Sequence, residues 1–188
     1  MLSWRAFTGY FLGLLLLLSG AASVFAFALN GYTWPATTQI RTHLDLSHAF
    51  TSLQDGSADW NASASDALNI WNQYTDTVRF VADAPSGSSG ANGANDVLFS
   101  TTVYGDTWPT RALAVTIRMS NQGSSFTEVD VLFNDSLKWD SYRGPLQGSG
   151  LIGTYDFHRV ALHEFGHVLG LDHPDQHGQS VVAIMNSI

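Results

Sequence analysis

The sequence reads as an α+β domain in which a twisted mixed sheet of five strands carries two helices. Three features lead there. Segments with β-type alternation come first and a strongly apolar helix comes late, an order typical of α+β chains. Trp60, Ala64, Ala67, Leu68 and Trp71 fall at helical spacing and supply the second helix. The 188 residues suit one globular domain plus a short processing segment.

The first thirty residues have the layout of an export segment. Met1 to Arg5 is a weakly positive head and Ala6 to Leu18 an apolar run. Ala26-Phe27-Ala28 is a small-x-small cleavage pattern. Residues 1–28 are expected to be a signal peptide cleaved after Ala28, leaving 29–188 as a secreted, extracellular domain. The competing reading is an uncleaved anchor, since Ala6 to Leu29 exceeds the ~20 apolar residues that span a bilayer. Gln39 to Leu46 then alternates, with Ile40, Thr42, Leu44 and Leu46 on the inner side. Ser57 or Asp59 can cap the following helix. Thr77 to Val81 and Asp96 to Ser100 are short β-rich runs, separated by a Gly/Ser/Asn-rich surface loop from Ala84 to Asn95. Ala112 to Met119 alternates cleanly, Asn121 to Ser125 turns, and Val129 to Phe133 returns. Asp135 to Leu151 reads as an irregular link. Asp156 and Gly170 bracket the last helix, Phe157 to Leu169, as cap and stop.

Composition narrows the chemistry. Sixteen acids against eight bases, a formal charge of −8, argue against a grip on nucleic acid. The absence of cysteine excludes disulfides, thiolate metal sites and cysteine nucleophiles. Fourteen acids are aspartates and two are glutamates, Glu128 and Glu164, while five of seven histidines lie between His158 and His177.

The late helix concentrates the reactive groups. Its apolar residues cover so broad an arc that it must be largely buried, so its polar side chains need partners. His163 and His167, four apart, stand one above the other and can converge on one cation. Glu164 projects beside that pair, where a carboxylate can hold water without ligating the metal. Gly170 permits a positive φ, so the chain can turn back and His173 can supply a third nitrogen. Three protein ligands leave a fourth position for water, the mark of a catalytic zinc site. His158 projects from the middle of the apolar arc and reads as a hydrogen-bonded core histidine. His177 misses the pattern, and His43 and His48 read as surface residues.

His163-Glu164-Phe165-Gly166-His167-Val168-Leu169-Gly170-Leu171-Asp172-His173 resembles the HExxHxxGxxH zinc signature of metzincin metalloproteases at every fixed position. Ala183-Ile184-Met185-Asn186 resembles the family's structural Met-turn, with Met185 packed beneath the ligands. Ala112-Leu113-Ala114 and Asp130-Val131-Leu132-Phe133-Asn134 are similar to the two strands before the active-site helix in the matrixins, the matrix metalloproteinase catalytic-domain family. The resemblance implies a metzincin-like zincin fold and one catalytic zinc on His163, His167 and His173. It also implies that the strand Ala112 to Met119 is a sheet edge along which peptide substrates lie. Matrixins place histidines for a second, structural zinc where this chain has Val115 and Leu132, so that ion is not expected. Asp130 and Asp135 echo the family's calcium aspartates only in part, leaving Ca2+ a weakly supported second cation. The chain stops three residues past Met185, where relatives continue into a C-terminal helix. Either the domain is truncated after the Met-turn or its core closes differently.

The site implies a secreted zinc-dependent endopeptidase that hydrolyses peptide bonds through a zinc-bound water activated by Glu164. Protein or peptide substrates, no nucleic acid and a monomeric state are expected, with membrane contact only if the N-terminal segment is retained. Two alternatives remain: a catalytically inactive zinc-binding module that recognises protein, and the same protease tethered by its anchor.

Overall fold

A computed structural model describes residues 27–50, 52–121, 123–145, 147 and 153–187. The body of the expected signal peptide, residues 1–26, lies outside these. Among the described residues no helix is long and apolar enough to cross a membrane.

The elements follow the expected order with short additions. β1 (Ala28–Leu29) precedes β2 (Gln39–Asp45), α1 (Trp60–Asn72), β3 (Arg79–Asp83), β4 (Asn95–Ser100), β5 (Ala114–Ser120) and β6 (Phe126–Asn134). Then come β7 (Trp139–Asp140), β8 (Tyr155–Asp156), α2 (Phe157–Val168) and β9 (Leu171–Asp172). The main sheet has the order β3-β2-β4-β6-β5. Its first four strands run parallel, and β5 closes one edge antiparallel to β6. This is the expected α+β architecture of five mixed strands and two helices.

Local chemistry explains most boundaries. β2 buries Ile40, Thr42 and Leu44 on alternate positions, as a strand with one covered face must. Asp59, not Ser57, caps α1, its carboxylate accepting from Ala62 N at 2.7 Å. β3 starts two residues later than its β-rich run. β6 starts three residues earlier than its apolar run, because Phe126 N is already bonded to Thr33 O at 3.0 Å. Nearly all of β6 is buried: Val129, Val131 and Phe133 join the core, and on the other face residues 92 and 93 of the β3–β4 loop donate N–H groups to Glu128 while Tyr104 OH donates to Asp130. The link from Asp135 onward is not wholly irregular: β7 within it pairs parallel to β8.

The core lies between the sheet and the two helices. Trp60 of α1 meets Phe157 of α2 with ring centroids 5.2 Å apart, and Phe157 meets Phe133 of β6 at 4.7 Å. Phe165, one α2 turn before its end, is fully buried and 5.9 Å from Phe80. These aromatics fix how α2 crosses the sheet, and hence where its polar stripe emerges.

Two histidine expectations separate here. His158 is a core residue, 5% exposed, with Nε2 2.9 Å from an Asp66 oxygen on α1. His48 is not a surface residue. Its ring packs 4.7 Å from Phe99 and 5.8 Å from Trp60, and its Nδ1 meets Asp135. A polar residue just past a strand looks solvated in sequence, but these partners arrive from distant segments. His43 is half-buried, with Nδ1 2.7 Å from Ala84 O.

Candidate metal centre

The site is built on the last turns of α2 and the chain that leaves it. Asp156 takes the extended cap conformation, but its side chain makes no capping bond; it accepts from Tyr142 N and Gly144 N instead. At the other end, Gly170 adopts φ +97°. A Cβ there would stand 2.4 Å from Tyr32 O, so glycine is required by conformation and by space together. Beyond it, β9 pairs antiparallel with β1, Leu171 opposite Leu29 and Asp172 opposite Ala28. The expected cleavage point falls between the two residues of β1. Asn30 N bonds Gly170 O at 2.9 Å, and Trp34 Nε1 donates to Val168 O at 2.8 Å, using a carbonyl the ending helix leaves open. The segment 28–34 thus straps the turn between the second and third histidines.

That turn brings the three histidines to one point. Nε2 of His163 lies 3.1 Å from Nε2 of His167 and 3.2 Å from Nε2 of His173, and the third edge is 3.0 Å. Among the described residues this is the group of three that could hold a metal ion. Carbonyl partners fix the tautomers. His163 Nδ1 donates to Ile184 O at 2.7 Å and His167 Nδ1 to Leu171 O at 2.9 Å. A nitrogen facing a carbonyl must carry the proton, so both Nε2 atoms present lone pairs inward. Burial holds the His163 pKa down to about 4 and lowers that of His167, so at neutral pH neither ring brings a second proton. Lone pairs this close repel unless a cation sits among them. Tetrahedral nitrogens ~2.0–2.1 Å from one zinc stand about 3.3 Å apart, within a few tenths of an ångström of the observed edges. The residues fit that ion.

Glu164 is 6% exposed, beside the triad. Its carboxylate Oε2 accepts from Thr116 Oγ1 at 2.6 Å. Burial pushes its pKa up to about 7, with the Thr116 bond pulling the other way. A cleft of about 520 Å³ runs between α2 and the edge strand β5 and contains Thr116, Glu164 and all three histidines. Met185 is 2% exposed beneath the helix. Its sulfur would lie 2.2 Å from a Cβ on Gly166, so the glycine within the signature admits the methionine.

The remaining candidates stand elsewhere. His177 Nε2 faces Asp172 at 3.2 Å and is not part of the triad. Asp130 accepts from Tyr104 OH at 2.6 Å and Asp96 N at 2.8 Å, while Asp135 pairs with His48. Val115 and Leu132 face each other directly across the β5–β6 ladder. Sequence reasoning missed Thr116, read only as one member of an alternating strand. A hydroxyl on the Ala114/Arg118 face of that strand was the available signal. It also missed the Ile184 carbonyl, which no side chain announces.

The family model for Matrixin matches residues 33–188. No curated protein matches the chain.

Proposed function

The chain belongs to the matrixin family of zinc-dependent metallopeptidases, and from that premise we propose that it is an active endopeptidase. His163, His167 and His173 hold its zinc and Glu164 is its general base. The observation that carries this reading is the set of inward nitrogens 3.0–3.2 Å apart, two with their tautomer fixed by carbonyls. When bound there, zinc supplies a Lewis acid that acidifies water and polarises the scissile carbonyl. Glu164 takes the proton from the attacking water and delivers it to the nitrogen of the departing amine. Its low exposure strengthens it as a base, because a carboxylate deprived of solvent binds a proton more readily. Among the described residues β5 pairs only with β6, so its outer edge can receive an extended peptide by backbone hydrogen bonds. Protein and peptide substrates follow from the family, and export from the Met1 to Ala28 pattern.

The test is digestion of an unfolded protein by the zinc-loaded chain and by Glu164→Gln. Cleavage by the wild type, lost in Glu164→Gln with zinc still bound, is the expected result. A zinc-loaded wild type that cleaves nothing would favour a protein-recognition module. N-terminal sequencing of the exported protein should begin at Leu29; an intact leader would mean a tethered enzyme.

A further inference from the structure

We propose that Thr116 is the positioning residue for the general base, dedicating one oxygen of Glu164 to the edge strand and leaving the other for chemistry. The inference rests on the peptidase reading above. β5 runs along the cleft, which Ala114, Val115, Thr116 and Arg118 all line. The Thr116 hydroxyl has one proton and two acceptors in reach, Glu164 Oε2 at 2.6 Å and Glu164 O at 3.4 Å. The shorter contact to an ionised oxygen takes it. Among the described residues no other protein donor meets this carboxylate, so this bond distinguishes one of its oxygens from the other. Oε2 is thereby an acceptor already in use, and Oε1 is the oxygen left to receive a proton from water.

Oε1 gains the proton that water loses as its oxygen bonds to the carbonyl carbon, and the Thr116 proton stays on its own oxygen. Glu164 then passes the gained proton to the amine nitrogen as the C–N bond breaks, and returns to a carboxylate. Thr116 sits on the strand whose edge would carry the peptide. The same hydroxyl therefore sets the base in register with the bond to be cut. A side chain at this position needs only a hydroxyl on a short stem, so serine should serve and valine, of equal shape, should not.

The experiment uses the full zinc-loaded chain as wild type, Thr116→Val and Thr116→Ser, with a fluorogenic peptide. A lost bond to a charged group predicts kcat lower by about tenfold to a hundredfold in Thr116→Val. KM should stay within about twofold, and Thr116→Ser should retain kcat within about threefold. Zinc affinity, read by chelator competition, should be equal in all three. A second readout needs no activity. The Glu164 carboxylate stretch, taken as the infrared difference from Glu164→Gln in metal-free protein at alkaline pH, should shift in Thr116→Val and not in Thr116→Ser. Wild-type kcat in Thr116→Val, equal impairment in Thr116→Ser, an unshifted carboxylate band, or a loss that follows zinc affinity would each overturn the proposal. An inactive wild type would overturn the peptidase reading and this role with it. An active wild type with an unaffected Thr116→Val would overturn this role alone.

Discussion

Replacing Gly170 by alanine should damage both the fold and the metal centre, in proportion to two separable costs. A residue with a Cβ held in left-handed backbone loses roughly 1–2 kcal/mol, and Gly170 sits at φ +97°. The new Cβ would also lie 2.4 Å from Tyr32 O, a backbone atom that cannot rotate away. Relieving that overlap means shifting the strap 28–34, at a cost of about 1–3 kcal/mol for an overpacked site. The total is about 2–5 kcal/mol, which for a domain of this size lowers the melting temperature by roughly 4–20 °C. Gly178→Ala is the internal control. That glycine has φ +76° with nothing within 4 Å of its would-be Cβ, so only the conformational cost applies. Because the strap holds the turn between His167 and His173, zinc affinity should also fall, by about tenfold to a hundredfold, in Gly170→Ala and stay unchanged in Gly178→Ala. The assays are thermal unfolding and chelator competition on both variants. If Gly170→Ala melts no lower than Gly178→Ala, the contact with Tyr32 is not a constraint and the reasoning fails.

Other outcomes follow from the buried acids. Burial pushes the Asp130 pKa up to about 6, with Glu128 and Asp96 adding repulsion, while Tyr104 and the Asp96 N–H hold it partly back. The folded protein therefore binds a proton that the unfolded chain has released between about pH 4 and 6, and stability falls as pH rises through that window. Asp130→Asn should raise the melting temperature at neutral pH and lose that advantage in acid; a lower melting point at neutral pH would mean its hydrogen bonds as a carboxylate matter more. Peptidase activity should have an acid limb set by Glu164. Burial, partly offset by the Thr116 bond, places its pKa at about 7, and a bound dication lowers it, so kcat/KM should drop as the pH falls through a value below 7. A midpoint well above 7 would place another group in that role.

The parts of this molecule that could be read from its residues are those with a local signature. Alternation in β2 and helical spacing in α1 and α2 are legible because each covers one face against the core; β5 alternates in sequence, although its residues are half-buried or exposed without alternation. The triad was legible because His163, His167, Gly170 and His173 lie within eleven residues on a helix and its exit turn. What escaped depends on contacts between remote segments. β1 is two residues long, and nothing in Ala28 or Leu29 reveals that they pair with Leu171 and Asp172 far along the chain. The burial of His48 escapes for the same reason, its partners Phe99, Trp60 and Asp135 coming from β4, α1 and the residue after β6. Asp156 stands at the cap position its sequence context predicts, but the N–H groups of Tyr142 and Gly144 take its side chain. Thr116 could be placed on a face, yet its meeting with Glu164 required knowing how α2 lies across β5.

In the proposed enzyme three imidazoles, His163, His167 and His173, share one ion. X-ray absorption at the zinc edge of the metal-loaded chain tests it most directly. One zinc per chain should bind, with three imidazole nitrogens at ~2.0–2.1 Å and one further light atom. Two imidazoles or fewer, or no stoichiometric zinc at all, would contradict it.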